Sequence, residues 1–156
     1  MTIGTGLYFW EHDFSQIRNS IIALDIDGTI CAHDGEEVSA CVRKKITECT
    51  HNDNIIYLVS NNKNKVRGRR LAQELSVVYL ETNYRKPDIR VVEGMPFTHR
   101  KRKLIVVGDK VLTDGLFAKY LGASFINTRT ITAPSDPLNV HIHYAIDWIV
   151  EKVIVL

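Results

Sequence analysis

Cysteine is scarce in this sequence. The chain has three, Cys31, Cys41 and Cys49, and no two of them form a CxxC pair. An odd count without paired spacing argues against a disulfide framework, and the spacing fits no zinc-ligand pattern. Because disulfides belong to oxidising compartments, we expect free thiols in a reducing compartment.

Long apolar runs and an excess of one charge are also missing. The apolar runs, such as LIVV at residues 104–107, fall far short of the ~20 residues that a membrane-spanning helix needs. The N-terminal sequence MTIGTGLYFWEHD lacks the basic and apolar regions of a signal peptide. The formal net charge is only +2, which argues against a dedicated nucleic-acid-binding protein. We therefore expect a cytoplasmic protein without a transmembrane segment, and nucleic acid only as a substrate.

The composition that remains is that of one ordinary globular domain. Of the 156 residues, 45% are hydrophobic and 24% are charged, which is typical of a chain with a single core. No internal repeat, low-complexity stretch or linker divides the sequence. We therefore predict a single domain over residues 1–156.

Short apolar segments alternate along the chain with segments of helical periodicity. The predicted strands are residues 20–27, 55–60, 77–80, 104–108 and 123–127. The predicted helices are residues 38–49, 63–75, 87–94, 113–121 and 141–153. This alternation predicts an α/β fold, a three-layer α/β/α sandwich around a parallel, Rossmann-like sheet. In such sheets ligands bind beyond the carboxyl ends of the strands, so the residues there are the candidates for function.

The first predicted strand ends in the sequence DIDGT, residues 25–29, which places Asp25 and Asp27 on the same side of the chain. Two carboxylates this close repel each other, so they require a cation or share a proton. A hard divalent ion with oxygen ligands is the natural partner. Gly28 permits the sharp turn that brings both side chains to one centre, although a simple Asp-Gly turn is the alternative interpretation.

Polar residues also follow the other predicted strands. Ser60 and Asn61 precede a helix, where such residues either cap the helix or bind phosphate. Lys86 stands just before the next helix, where a cation is unfavourable for the helix dipole, which is a hint of function, with a solvated loop cation as the alternative. Asp109 follows the fourth strand, and Asp114 begins the next helix either as a favourable charge or as part of a metal site.

Taken in order, the motifs DxDGT, SNN, KP and GDxxxTD resemble the four motifs of the haloacid dehalogenase superfamily, over about residues 20–129. The resemblance implies that Asp25 is the nucleophile that forms an aspartyl phosphate, and that Asp27 is the general acid and base. It also implies a Mg²⁺ cofactor, held by Asp25, the backbone carbonyl of Asp27, Asp109 and, directly or through water, Asp114.

The same resemblance implies a set of phosphate-binding residues. Ser60 and Lys86 would bind the phosphoryl oxygens, helped by backbone amides near Asp27 and Asn61. We count Thr29 of the first motif among the phosphate-binding candidates as well.

Neither gap between the motifs leaves room for a cap domain. Only residues 30–37 separate the first motif from the first predicted helix, and one helix and one strand occupy the chain between Ser60 and Lys86. Capless members of the superfamily have an open site, which favours a large phosphorylated substrate or a homo-oligomer in which one copy covers another.

A closer resemblance concerns the residues around the second, third and fourth motifs. The sequences KVR at 65–67, RKP at 85–87 and VGDKVLTDGLFAKYLGASFINTR from residue 106 resemble the capless phosphatidylglycerophosphate phosphatases of bacteria and mitochondria. This implies a lipid headgroup as substrate, although DIDGT replaces the DxDNT usual in that group. The alternatives are a polynucleotide 3′-phosphatase, a small sugar-phosphate phosphatase and, among non-enzymes, an inactive domain that acts as a binding module. Residues 81–85 contain no Cys or His, which disfavours the phosphatases with a zinc loop.

Two basic clusters and the last predicted helix are candidates for contacts with the substrate, with a membrane surface or with a second copy of the chain. Lys63, Lys65 and Arg67 follow the second motif, and we expect them to contact a bulky anionic substrate, with a solvated helix face as the alternative. The HRKRK cluster at residues 99–103 precedes the fourth strand, so it lies at the opposite edge of the sheet and faces solvent or anionic lipid. We expect Trp148 to dock the last helix on the core; if exposed, its apolar strip favours a dimer or a membrane contact.

Overall fold

The computed structural model describes residues 2–4, 6–96 and 98–154, which form a parallel sheet with helices on both faces. The strands are β1 (Thr2–Gly4), β2 (Ser20–Leu24), β3 (Ile55–Leu58), β4 (Val78–Tyr79), β5 (Lys103–Gly108) and β6 (Ser124–Asn127). They are hydrogen-bonded in the order β1-β6-β5-β2-β3-β4, and every pair is parallel. The predicted α/β sandwich with a parallel, Rossmann-like sheet is confirmed.

Four α-helices lie between or after these strands in the described residues. They are α1 (Ala40–His51), α2 (Lys65–Leu75), α3 (Leu116–Leu121) and α4 (Leu138–Ile154). Side chains define where the first two begin, because Ser39 accepts a hydrogen bond from the Val42 amide and Asn64 accepts one from the Arg67 amide. Gly122 ends α3 in the left-handed conformation, with φ of 64°.

Alternate residues of β2 pack into two separate cores, one on each face of the sheet. Ile22 and Leu24 belong to the core that includes the buried side chains of α1 and α2, whereas Ile21 and Ala23 belong to the core that includes those of α3. Successive side chains of a strand point to opposite faces, so a strand covered on both faces is apolar throughout. This is why the central strands could be predicted from continuous apolar runs.

β1 is a sixth strand that the sequence pattern did not predict. Its residues pair in register with Phe125–Asn127 of β6, at the edge of the sheet. A three-residue edge strand needs only one hydrogen-bonded neighbour and no long apolar run, so it leaves little trace in the sequence.

The predicted helix at residues 87–94 is shorter and tighter than expected. It is a 3₁₀ helix over Ile89–Gly94, and Asp88 caps it by accepting a hydrogen bond of 2.9 Å from the Arg90 amide. The cap at Asp88 places the helix start two residues beyond Pro87.

The predicted helix at residues 113–121 is divided into a π-helical turn, Val111–Gly115, and α3. The Val111 and Leu112 amides in this turn donate hydrogen bonds of 2.8 and 3.0 Å to the two carboxylate oxygens of Asp147 in α4. These bonds connect the last helix to the loop that follows β5.

The expectation that Trp148 docks α4 on the core is wrong, because its side chain is 60% exposed. Four further apolar side chains of α4 are exposed: Leu138, Ile142, Ile146 and Ile149. Such a strip fits the dimer or membrane contact considered above, and the oligomeric state stays a prediction. Among the described residues, no helix combines the length and the apolar composition that crossing a membrane requires.

Phe117 tests the core beside α3. Its side chain is fully buried, so we expect Phe117→Ala to lower the free energy of unfolding by ~3–5 kcal/mol. Tyr120 lies on the same helix and is 59% exposed, so Tyr120→Ala should change the free energy of unfolding by less than ~0.5 kcal/mol. Urea denaturation followed by circular dichroism measures both, and equal losses for the two variants would contradict this packing.

Candidate active site

A cavity of about 360 Å³ opens at the carboxyl edge of the sheet. Its walls come from the loops that follow β2, β3, β4 and β5: Asp25, Asp27, His33, Asp34, Ser60, Asn61, Asn62, Lys63, Lys86, Lys110 and Thr113. Asp109 and Asp114 are buried beside it, next to Asp25. All four sequence motifs therefore converge at one place.

Lys86 carries its charge in a buried position between two carboxylates. Its ammonium group lies 2.6 Å from Asp25 Oδ1 and 2.6 Å from Asp114 Oδ1. Burial by itself would lower the pKa of Lys86, but Asp114 and Asp25 outweigh it and raise that pKa. Burial also raises the pKa of Asp25 to about 6, although Lys86 opposes the shift. Full ionisation of Asp25 at neutral pH is therefore favoured by any additional cation in the site.

Asn61 supports Lys86 through the backbone. The Asn61 side-chain amide donates a 2.9 Å hydrogen bond to the Lys86 carbonyl, and the Lys86 amide donates a 2.7 Å bond to Asn61 Oδ1. Both functional groups of this side chain are thus engaged, which leaves its backbone amide as the group available to a phosphate.

Three buried carboxylates form a set suited to a divalent cation. One oxygen from each of Asp25, Asp109 and Asp114 lies within 4.8 Å of the others. Both oxygens of Asp109 are buried, and neither has a well-formed hydrogen bond from a described residue. Burial raises the pKa of Asp109 well above its usual value, reinforced by Asp25 and Asp114 and opposed by Lys110 and a weak interaction with the Thr130 side chain. Hard oxygen donors with unsatisfied lone pairs fit an ion such as Mg²⁺.

The turn after β2 fits closely around this carboxylate set. Gly28 has φ of 87°, and a Cβ atom at this position would lie 2.2 Å from Asp109 Oδ2. Glycine is thus required both for the backbone conformation and for the space that Asp109 occupies.

The Asp27 side chain does not belong to this carboxylate set and forms a separate network, close to His33 and Asp34. Its oxygens lie 3.0 and 3.3 Å from the Arg67 guanidinium, and they accept hydrogen bonds from the Asn62 side chain, the Ser60 hydroxyl and the Asp34 amide. Burial would raise the pKa of Asp27, but Arg67 and these hydrogen bonds outweigh it and hold that pKa below its usual value. The side chain of Asp27 is therefore outside the carboxylate set, and only its backbone carbonyl remains as the predicted metal ligand.

Arg67 is a site residue whose position the sequence analysis predicted wrongly. It was expected at the rim of the site with Lys63 and Lys65, but its side chain is only 3% exposed and also donates to the Gly35 carbonyl. Val66, the preceding residue of the helix, is 71% exposed. The signal was present in the sequence, because Arg67 precedes Leu71 and Leu75 by four and eight residues and shares their buried face.

Ser60 and Thr29 occupy different places in the site. The Ser60 hydroxyl lines the cavity, accepts a 3.0 Å hydrogen bond from the Asn62 amide and donates a 3.3 Å bond to Asp27. Thr29 is fully buried, and its hydroxyl donates a long bond of 3.5 Å to Asp25. Thr29 thus contacts the Asp25 carboxylate from the protein side, which explains why it does not line the cavity.

Lys110 lines the cavity, although the sequence analysis gave it no role. Its ammonium group lies 5.1 Å from the ring centroid of Tyr144 in α4. Burial would lower the pKa of Lys110, but Asp109, Asp25 and Asp114 outweigh it and raise that pKa. Lys110 therefore adds positive charge to the cavity, together with Lys63 and Lys86.

Comparison with known proteins gives one match. The model of the family described as Mitochondrial PGP phosphatase matches residues 9–132, a stretch that contains every residue of the cavity. Comparison with curated proteins found no match, and comparison with solved structures found none either.

The substitution Asp109→Asn tests the cation site through stability. We expect MgCl₂ to raise the free energy of unfolding of the unaltered protein, by ~2.7 kcal/mol at a hundredfold excess over the dissociation constant. Asp109→Asn should abolish most of this gain. In the presence of EDTA, the Asp109→Asn variant should be no less stable than the unaltered protein, because burying a carboxylate whose oxygens accept no well-formed hydrogen bond destabilises the folded state. Urea denaturation in both solutions measures the effect, Asp13→Asn is the surface control, and an equal Mg²⁺ gain in Asp109→Asn excludes this site.

Proposed function

The chain belongs to the family of mitochondrial PGP phosphatases, and on that premise we propose that it is a Mg²⁺-dependent phosphomonoesterase of the haloacid dehalogenase type. The observation that carries the proposal is the convergence of Asp25, Lys86 and Asp109 at one edge of the sheet. A carboxylate nucleophile, a buried ammonium group and unpartnered carboxylate oxygens are the parts that phosphoryl transfer needs.

Asp25 is the proposed nucleophile. Its carboxylate oxygen attacks phosphorus, and the new P–O bond of an aspartyl phosphate forms as the bond to the leaving oxygen breaks. Lys86 and Ser60 bind the phosphoryl oxygens, and Asn61 contributes its backbone amide while its side chain positions Lys86. Thr29 is assigned to positioning Asp25, because its hydroxyl faces that carboxylate inside the protein.

The proposed cation belongs to the carboxylate set. Asp25, Asp109 and Asp114, with the backbone carbonyl of Asp27, would hold Mg²⁺. When bound, it supplies positive charge that offsets the charge on the phosphoryl oxygens.

Asp27 is the proposed general acid and base. It donates a proton to the leaving oxygen, and it later accepts a proton from the water that hydrolyses the aspartyl phosphate. Arg67 holds the Asp27 carboxylate in position and favours its ionised form, which is the form required for the second step. A phosphate dianion bound beside Asp27 shifts this balance towards the protonated form needed for the first step.

The proposed substrate is phosphatidylglycerophosphate, the phospholipid to which the family description refers. The loops between β2 and α1 and between β3 and α2 contain turns and extended segments, which supports a single domain without a cap and a site open to a lipid headgroup. A polynucleotide 3′-phosphatase and a small sugar-phosphate phosphatase are the alternatives. The intact acids and Lys86 argue against an inactive binding module. The cytoplasmic location stays a prediction, and the family description favours a mitochondrial one.

The substitution Asp25→Asn tests the nucleophile. We expect the protein to hydrolyse a generic aryl phosphate in the presence of Mg²⁺, and both EDTA and Asp25→Asn to abolish turnover. Beryllium fluoride should add to the Asp25 carboxylate in a crystal structure of the unaltered protein. Asp88→Asn is the control, since Asp88 is outside the cavity. Turnover that persists after exhaustive chelation rules out the metal assignment, and a fluoride adduct on Asp27 reverses the two roles.

Arg67 is tested by comparing two leaving groups. Arg67→Met removes the group that positions Asp27, so hydrolysis of an alkyl phosphate, which needs the proton, should fall by ~10²–10⁴. Hydrolysis of p-nitrophenyl phosphate, whose leaving group needs little protonation, should fall far less, and Arg67→Lys should recover part of the difference. The ratio of the two rates does not depend on the folded fraction, and an unchanged ratio contradicts the positioning role.

A further inference from the structure

A second cavity, of about 170 Å³, adjoins the one that contains Asp25. The two cavities share residues 60–63 as a common wall, so a ligand bound over Asp25 can extend across this segment. Lys63 lines both cavities, whereas Lys65 and Arg85 line only the second one.

The second cavity differs from the first in the sign of its charge. Carboxylates line the first cavity, but among the described residues no Asp or Glu lines the second one. Three cations line it instead, namely Lys63, Lys65 and Arg85. A concave surface lined by cations concentrates anions from solution.

These cations remain available to a ligand to different degrees. Two arginines of α2 outside the cavity are already paired: Arg69 forms a salt bridge with Glu81, and Arg70 forms salt bridges with Glu36 and Glu74. Lys65 donates a 2.9 Å hydrogen bond to Asn83 and lies 4.0 Å from Glu81. Lys63 and Arg85 are exposed, and neither forms a salt bridge with a described residue. No hydrogen bond or salt bridge from the described part of the chain engages the Arg85 guanidinium, so it can make a planar, bidentate contact with a phosphate.

We propose that this second cavity binds a second phosphate group of the substrate, a phosphodiester linked by a short spacer to the monoester that reacts at Asp25. The inference rests on the proposed function and specifies its substrate as a phospholipid headgroup with two phosphates. The monoester occupies the site of Asp25 and Lys86, and the phosphodiester contacts Lys65 and Arg85. A small sugar phosphate with one phosphate would make no phosphate contact with Lys65 or Arg85.

A 3′-phosphorylated oligonucleotide also has a phosphodiester next to its monoester, but the cavity is less suited to it. Recognition of single-stranded nucleic acid relies on aromatic faces on which bases stack. Two tyrosines, Tyr79 and Tyr84, line the second cavity. The Tyr79 ring is half-buried against Gly68 of α2, and the Arg90 guanidinium lies 4.2 Å from the centroid of the Tyr84 ring, so part of each ring is already covered. The observations therefore favour the lipid headgroup.

The double substitution K65A/R85A tests the proposal through substrate selectivity. The measurement is kcat/KM for a short-chain, soluble phosphatidylglycerophosphate divided by kcat/KM for an aryl phosphate. Two contacts between charged groups and a phosphate should together contribute ~10-fold to 100-fold, so this ratio should fall by at least ~10-fold in the double variant. The advantage of the lipid should also weaken as salt is added, because exposed charges are screened. Lys44 and Lys119 are exposed cations outside both cavities, and K44A/K119A should keep the ratio unchanged.

A binding measurement separates failure of the proposal from failure of the proposed function. In the Asp25→Asn background, which should not turn over, calorimetry gives the dissociation constant of the short-chain phosphatidylglycerophosphate directly. We expect K65A/R85A to raise it at least ~10-fold. If the lipid binds equally well to both proteins, or the selectivity ratio is unchanged, the second cavity is not a phosphate site. If a 3′-phosphorylated oligonucleotide shows the larger kcat/KM and the larger loss in K65A/R85A, the lipid assignment is wrong. Lack of aryl phosphate turnover in the unaltered protein refutes the proposed function alone.

Discussion

The buried contact of Lys86 with Asp25 and Asp114 is the interaction on which the site depends. Parallel strands deliver their carboxyl ends to one edge, and in this chain four of the residues delivered there are buried aspartates, three of which, Asp25, Asp109 and Asp114, form one cluster. Their mutual repulsion would be costly without a cation inside the cluster. Lys86 provides one positive charge, and the unpartnered oxygens of Asp109 show that the cluster retains capacity for another.

The two acids of the first motif have different environments. Asp25 is buried among carboxylates, and burial raises its pKa to about 6, whereas the pKa of Asp27 is held low mainly by Arg67 acting against burial. Both residues lie in the turn that follows β2, and the buried guanidinium of Arg67 contacts only Asp27 of the two. Different environments of this kind are what the proposed division into nucleophile and general acid requires.

The two neighbouring cavities differ in the charged residues that line them. The cavity at Asp25 is lined by both acids and lysines, while the charged residues that line the adjoining cavity are all cations. On the proposal made above, a substrate with two phosphates would occupy both cavities. The helix α4, which carries the exposed apolar side chains, also contacts the loop after β5. Its Asp147 accepts hydrogen bonds from that loop, and its Tyr144 ring lies against Lys110 of the cavity.

The sequence by itself determined the α/β architecture and most of the site. Strands covered on both faces are apolar throughout, and polar residues at their carboxyl ends mark the site, so Asp25, Asp27, Ser60, Lys86, Asp109 and Asp114 were all identifiable. Only the tertiary structure decided that Asp27 is the partner of the Arg67 guanidinium on the buried face of α2. It also decided that the Asn61 side chain binds the Lys86 backbone and that Lys65 and Arg85 share a cavity, since these contacts join segments that are distant in sequence. Local periodicity is a property of one segment, whereas the partner of a buried charge depends on which segments the fold brings together.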